Sequence, residues 1–292
     1  MTDARQAGDG FQRVLLAVLA HPDDESFGMG GTLALYAQRG VAVHLACATR
    51  GEAGEVASEL LEGFASIAER RVSELRCAAD ILGLAGVHFL DYRDSGMLGS
   101  EDNQHSQALV NAPLDEVAGR VAHAIRSLKP QVVLTFDPIG GYRHPDHIAA
   151  HRATVKAFHL AGDPDFQDEL PPYSPQKLYY QVFPKGWLRL AVYLLPLLGL
   201  NPRRFGRNHD VDLLAIIKEG NFPIHARIDY HSVAEKREAA AACHASQLEG
   251  SMPRRGPFAW LARLVSRNEL YMRGYPPPEV GLRERDLFAG VK

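Results

Sequence analysis

The sequence predicts an α/β protein whose mostly parallel sheet is doubly wound, with helices covering both faces. Three observations predict it. Strand-like and helix-like segments alternate from residue 14 to residue 136. The first strand-like segment, Val14 to Leu19, is a continuous apolar run, the pattern of a strand buried on both faces. Parallel neighbours also need crossover helices between them, which the alternation supplies. Taken in order, Val14-Leu15-Leu16-Ala17-Val18-Leu19 is the first strand, and Gly30 to Gln38 is a helix closed by Gly40. Val41 to Thr49 is the second strand. Helical spacing of Leu, Ala and Ile runs from 56 to 82 and ends at Gly83. Residues 87–90 form the third strand, 114–128 a helix stopped before Pro130, and Gln131 to Phe136 the fourth strand. Beyond residue 162 the pattern loosens into loops, a strand at Lys177–Val182, another at 224–229 and an Ala-rich helix over 232–245. The expectation is one Rossmann-like domain over 1–292 with an elaborated C-terminal third. Its core is 12–182 and 224–247, its insertion 185–222 and its tail 250–292.

Composition narrows the function classes. At 292 residues the chain has ample length for a buried core, and 46 % hydrophobic with 23 % charged residues is ordinary for a globular enzyme. A net charge of −3 argues against a nucleic-acid-binding face, which needs a basic excess. Cys47, Cys77 and Cys243 are odd in number and far apart, which reads as neither a disulfide framework nor a metal-binding pair. With a polar N-terminal stretch and no run of the ~20 apolar residues a membrane span needs, this points to the cytoplasm. The apolar stretch 187–200, followed by basic residues to Arg207, is too short to span a bilayer and is broken by Pro196. It reads as a buried helix or subunit contact in preference to a membrane-surface contact through 187–207, and it is compatible with an oligomer.

The chemistry concentrates in two echoing motifs, His21-Pro22-Asp23-Asp24-Glu25 and His144-Pro145-Asp146-His147, each at the exit of a predicted strand. Ligand sites of doubly wound sheets lie at those strand ends, near the switch point of strand order. His21, Asp24 and His147 would make a His-Asp-His set with open positions, as in catalytic metal sites. Imidazole with carboxylate suits Zn2+, and Fe2+ also fits. Asp23 is then placed to accept a proton. His144 faces the same cavity from the first turn of a helix, where Pro145 is tolerated, and Asp146 is expected to orient its ring and favour the protonated form. The reaction class is hydrolysis of an amide or ester. Each motif alone is also a polar turn or a capped helix start; the pair, both at strand ends, favours the metal site. The other histidines lack such a setting, although His151 follows His147 by four and is a spare ligand candidate.

These motifs resemble those of the zinc-dependent N-acetylglucosamine de-N-acetylases of the PIG-L/LmbE type. The likeness rests on His21 to Glu25, Thr49-Arg-Gly-Glu-Ala-Gly-Glu55, Arg71-Val-Ser-Glu-Leu75, Arg93-Asp-Ser-Gly-Met97 and Gly140 to His147, with a weaker match from Lys236 to Gln247. Arg93 to Met97 and Gly140 to His147 are most similar to the mycothiol-pathway branch, which handles glucosaminyl-inositol conjugates. The resemblance implies His21, Asp24 and His147 as zinc ligands, Asp23 as general base, and His144 as oxyanion donor or acid oriented by Asp146. It further implies Arg71, Asp94, Glu55 and Tyr142 as substrate contacts, on a small-molecule amino-sugar conjugate. Each of these four has a plainer role available, as a helix charge, a turn residue or a packing ring. Arg143 departs from the glycine of that branch, and 185–222 has no clear counterpart there. Weighed against deacetylation are an amidase for a larger N-acyl group, a non-catalytic glycan-binding protein, and a nicotinamide dehydrogenase. The last is discounted because Gly28-Met-Gly-Gly31 is not GxGxxG.

Overall fold

The computed structural model describes residues 12–183, 192, 195–198, 201–204, 212–219, 221–248 and 268–292. Its core is a seven-stranded sheet of β1 (Val14–Leu19), β2 (Ala42–Cys47), β3 (Gly86–Phe89), β4 (Val132–Phe136), β5 (Lys177–Val182), β6 (Ala226–Asp229) and β7 (Asn268–Tyr275). The order is β3-β2-β1-β4-β5-β7-β6. β3, β2, β1, β4 and β5 are mutually parallel, while β7 runs antiparallel to both β5 and β6. Strand order reverses between β1 and β4, which is the switch point of the sheet.

The apolar run of β1 faces two different cores because successive side chains alternate sides. Leu15, Ala17 and Leu19 join one core with Leu33 of α2 (Gly30–Gln38) and Leu75 and Leu82 of α3 (Ile67–Leu82). Leu16 and Val18 join the other with Val117, Val121 and Ile125 of α4 (Leu114–Leu128) and Ala153 and Ala157 of α6 (Pro145–Leu160). Two short helices, α1 (Asp24–Gly28) and α5 (Gly140–Arg143), follow β1 and β4. The doubly wound, mostly parallel prediction is met.

Three differences have physical reasons. Helix α3 starts at Ile67 and not near 56, because Ser66 caps it by accepting the Glu69 N–H at 3.1 Å. The segment before it is turns and one short 3-10 stretch, Ser58–Leu61. The presumed tail contributes β7, hidden from a hydrophobic reading by Glu269, Arg273 and Gly274. Glu269 is buried there because its carboxylate accepts the Gly31 and Thr32 N–H groups at the start of α2. Leu287 and Phe288 pack into the first core as well.

The cysteine expectation is corrected. Cys77 of α3 and Cys243 form a disulfide across 166 residues of sequence, and Cys47 alone is free and buried. Wide spacing in sequence says nothing about proximity once a helix packs on another, so the argument for a reducing compartment lapses. No helix among the described residues is long and apolar enough to cross a membrane. Most of 187–207 lies outside the described residues. Within the insertion, Leu213 and Ile216 of the helix Leu213–Glu219 pack with Val192.

Candidate metal centre and hydrolytic site

Both His-Pro-Asp motifs lie where β1 and β4 end, on either side of the switch point. β1 delivers Ala20 and His21, and a tight turn places Asp23 at φ 124°, ψ −29° before α1 begins at Asp24. That conformation is strained for a residue with a Cβ. β4 leads through Asp137 to α5 and then α6, with Pro145 in the first turn and His144 as the N-cap.

The side chains of the two motifs meet. Asp24 Oδ2 accepts the His21 N–H at 2.8 Å and lies 3.6 Å from His21 Nδ1. Its other oxygen, Oδ1, is 3.2 Å from His147 Nε2. The His21 ring lies 4.5 Å from the His144 ring and 5.3 Å from that of His147, centroid to centroid. On the far side of His21, Nε2 donates to Asp146 Oδ2 at 3.1 Å, with Asp94 Oδ1 at 3.4 Å. The nitrogens of His21, His144 and His147 lie within 4.8 Å of one another, as do the ligand atoms of His21, Asp94 and Asp146.

This donor set fits a cation. A carboxylate only accepts hydrogen bonds, so the bond to Asp146 places a proton on His21 Nε2; in the neutral ring, Nδ1 then turns a lone pair toward Asp24. The buried His147 Nε2 makes no hydrogen bond despite its nearness to Asp24. An electron-rich, desolvated point of this kind is completed by a positive charge. The electrostatics of the site point the same way. Burial opposes charge on His21, yet Asp94 and Asp146 hold its pKa well above the ordinary imidazole value. Burial likewise opposes charge on Asp24, and His147 nonetheless draws its pKa well below the usual carboxylate range.

Asp23 stands apart from this convergence. Its carboxylate meets the buried Arg71, whose Nη2 donates to Asp23 Oδ2 at 3.2 Å and to Pro22 O at 2.7 Å, while Nη1 donates to Gly51 O at 3.0 Å. Burial raises the Asp23 pKa to about 6, against the opposing pull of Arg71. Arg71, expected from the family likeness to touch substrate, is therefore largely engaged by the protein.

His144 differs from expectation. Its Nδ1 accepts the Asp146 N–H at 3.2 Å, so the neutral ring carries its proton on Nε2. The Asp146 carboxylate holds His21 and the Ser95 N–H instead of the His144 ring. Burial, with His21 and His147 nearby, pushes the His144 pKa down to about 2. The expectation that Asp146 keeps His144 protonated is corrected: an N-capping ring accepts a backbone N–H and gains nothing from a second proton there.

The remaining residues sort by depth. Asp94 is buried beside His21, its Oδ1 accepting the Gly96 N–H at 2.8 Å. Tyr142 is 39 % exposed, its ring edge-on to His147 at 5.0 Å, which places it at the mouth. Glu55 is exposed on the loop before α3, whereas Glu52 of the same motif reaches the Asp94 N–H at 3.0 Å. His151 stands outside the convergent groups found among the described residues: its Nδ1 bonds Phe136 O at 2.8 Å and its ring packs edge-on to Tyr180. Sequence reasoning missed His244, which is 0 % exposed with Nε2 2.7 Å from Oε1 of Glu25. The weak match at Ala-Cys-His-Ala-Ser-Gln was its only signal.

Residues 16–158 match the family model described as PIG-L, GlcNAc-PI de-N-acetylase. A 1D-myo-inositol 2-acetamido-2-deoxy-alpha-D-glucopyranoside deacetylase of Streptomyces avermitilis is 39 % identical over 299 residues, covering 96 % of this chain and 97 % of that protein. Among solved structures, the N,N'-diacetylchitobiose deacetylase of Pyrococcus horikoshii aligns with TM-score 0.61 and 20 % identity over 92 % of this chain and 88 % of that one. A 4-carboxy-2-hydroxymuconate hydratase of Pseudomonas putida aligns with TM-score 0.59 and 22 % identity over 93 % and 100 %. A deacetylase and a hydratase thus share this fold, so fold alone does not choose the chemistry.

Proposed function

Since this chain belongs to the PIG-L family of de-N-acetylases, we propose that it is a metal-dependent hydrolase that removes the acetyl group from an N-acetylglucosamine-containing conjugate. The substrate class we favour is an N-acetylglucosaminyl-inositol, on the strength of relatives that match nearly the whole chain. The observation that carries the reading is the placement of Asp24 between His21 and His147, with Asp23 beside it and held by Arg71.

His21, Asp24 and His147 are the residues that would hold the ion, Zn2+ or Fe2+. Such an ion supplies Lewis-acid activation of water and of the amide carbonyl. Asp146, with Asp94 beside it, fixes the His21 ring by its Nε2–H, as carboxylates behind metal-bound histidines do. Asp23 takes the proton of the attacking water as the C–O bond forms, and returns it to the amine as the C–N bond breaks, giving acetate and the free amino sugar. His144 directs its Nε2–H at the oxygen that gains negative charge. A neutral donor serves there without first being charged. Tyr142 offers its half-exposed ring to the sugar. Arg71 and Asp94 act from the floor of the site, and Glu55 from its outer loop. A larger N-acyl group in place of acetyl is the runner-up.

The test is a panel of N-acyl glucosaminides with acetate, longer acids and free amine all quantified. The reading expects stoichiometric acetate and amine. In Asp23→Ala, kcat should fall by about 10²–10⁴-fold while bound metal stays at the wild-type level. Release of longer acids alone would move the assignment to the runner-up.

A further inference from the structure

We infer that Glu25 and His244, deeply buried and in neither cluster of metal-capable groups among the described residues, form a positioning pair that holds Asp23 in its reactive conformation. This rests on the reading of Asp23 as the base. Asp23 has φ 124°, a conformation that persists only when its surroundings impose it. One restraint acts on its carboxylate, through Arg71 of α3. The other acts on its backbone: the Asp23 N–H donates to Glu25 Oε2 at 2.9 Å. Glu25 is fixed in turn, since its Oε1 accepts Ser26 Oγ at 2.5 Å and lies 2.7 Å from His244 Nε2. Glu25, Ser26 and His244 are each 0 % exposed, so bulk solvent does not reach these bonds.

His244 has little freedom of its own. The residue before it, Cys243, is bonded to Cys77 of α3. Two residues after it, the Ser246 N–H and Oγ both donate to Glu74 of α3, at 2.9 and 2.6 Å. The Phe27 ring lies 5.8 Å from its own. Helix α3 therefore reaches Asp23 by two routes, directly through Arg71 and indirectly through the 243–246 segment and Glu25. A buried glutamate and histidine that served only the core would need no link to Asp23, a strained residue beside the ion site.

The experiment is a double-mutant cycle of Asp23→Ala and His244→Ala on the metal-loaded enzyme, with His244→Gln as the conservative variant. Wild-type turnover is measured first, and its absence would sink the deacetylase reading and not this one. Given turnover, His244→Ala alone should lower kcat about 10–100-fold with KM changed less than about threefold and metal content unchanged. In the Asp23→Ala background the same change should do nothing further, because the group it positions is gone. His244→Gln, whose amide N–H replaces Nε2, should recover most of the rate. Equal losses in both backgrounds, or metal and kcat falling together, would show a purely structural role and overturn the inference. Should His244→Ala fail to fold, the cycle with Glu25→Gln gives the same two outcomes.

Discussion

Arg71 lies across the Gly51 backbone so closely that a Cβ at 51 would stand 2.1 Å from its Nη1, and Gly51 itself has φ +72°. Gly51→Ala should therefore displace the guanidinium from Asp23 and cost about 1–3 kcal/mol of stability from backbone strain alone. Urea unfolding and kcat together check this, and an unchanged kcat would show that Arg71 does not hold the base. His244 carries a pH prediction. Burial opposes its charge, but Glu25 outweighs that and raises the ring above its ordinary value. A raised imidazole stabilises the fold fully below the unfolded value, about pH 6.5, and that stabilisation is lost as pH rises through the folded value. The Tm difference between wild type and His244→Gln should be widest below about pH 6.5 and narrow as the pH rises above it. A flat difference would mean that the ring is neutral throughout. At this scale the sequence showed the residue types well and their partners poorly. His21 and Asp24 are neighbours in the chain, so their meeting was legible. The bond from His21 to Asp146 spans 125 positions and that from His244 to Glu25 spans 219, so both depend on which strands lie side by side.

Among the elements, α3 does more than cover the sheet. It carries Arg71, Glu74 and Cys77, three residues that tie the site or its support, and its start is set by Ser66. The disulfide closes a loop of 166 residues, so Cys77→Ser should lower unfolding free energy by about 2–4 kcal/mol. Adding reductant to the wild type should reproduce that loss, and equal stability with and without reductant would show that the bond adds nothing. β1, β2 and β4 were legible because they are largely buried on both faces, whereas the short edge strand β3 is half-exposed and was marked only by its apolar Val87 and Phe89. β7 was not, since it carries Glu269, Arg273 and Gly274, whose partners are α2, Glu284 near the C-terminus and Tyr180 of β5. The start of α3 was over-read because apolar spacing continues through 56–66, although the Ser66-x-x-Glu69 pattern marked the true cap.

At the level of the whole molecule, the switch between β1 and β4 brings two distant copies of His-Pro-Asp to one point. That juxtaposition was predictable because the alternation of strands and helices fixes which strand ends share a side of the sheet. The closing of the sheet by β7 and β6 and the covalent tie to α3 were not, because neither follows from local pattern. The shared fold with a hydratase places the weight of the functional assignment on the donor set at the switch point and not on topology. That donor set is electron-rich beyond what protein partners satisfy, which is why a divalent ion is central to the account. The most direct test is acetate release from an N-acetylglucosaminyl-inositol by the full chain before chelation, after chelation, and after return of Zn2+ or Fe2+. The account predicts acetate with an equal amount of free amine, lost on chelation and restored by the ion. Acetate release that a chelator leaves untouched would contradict it.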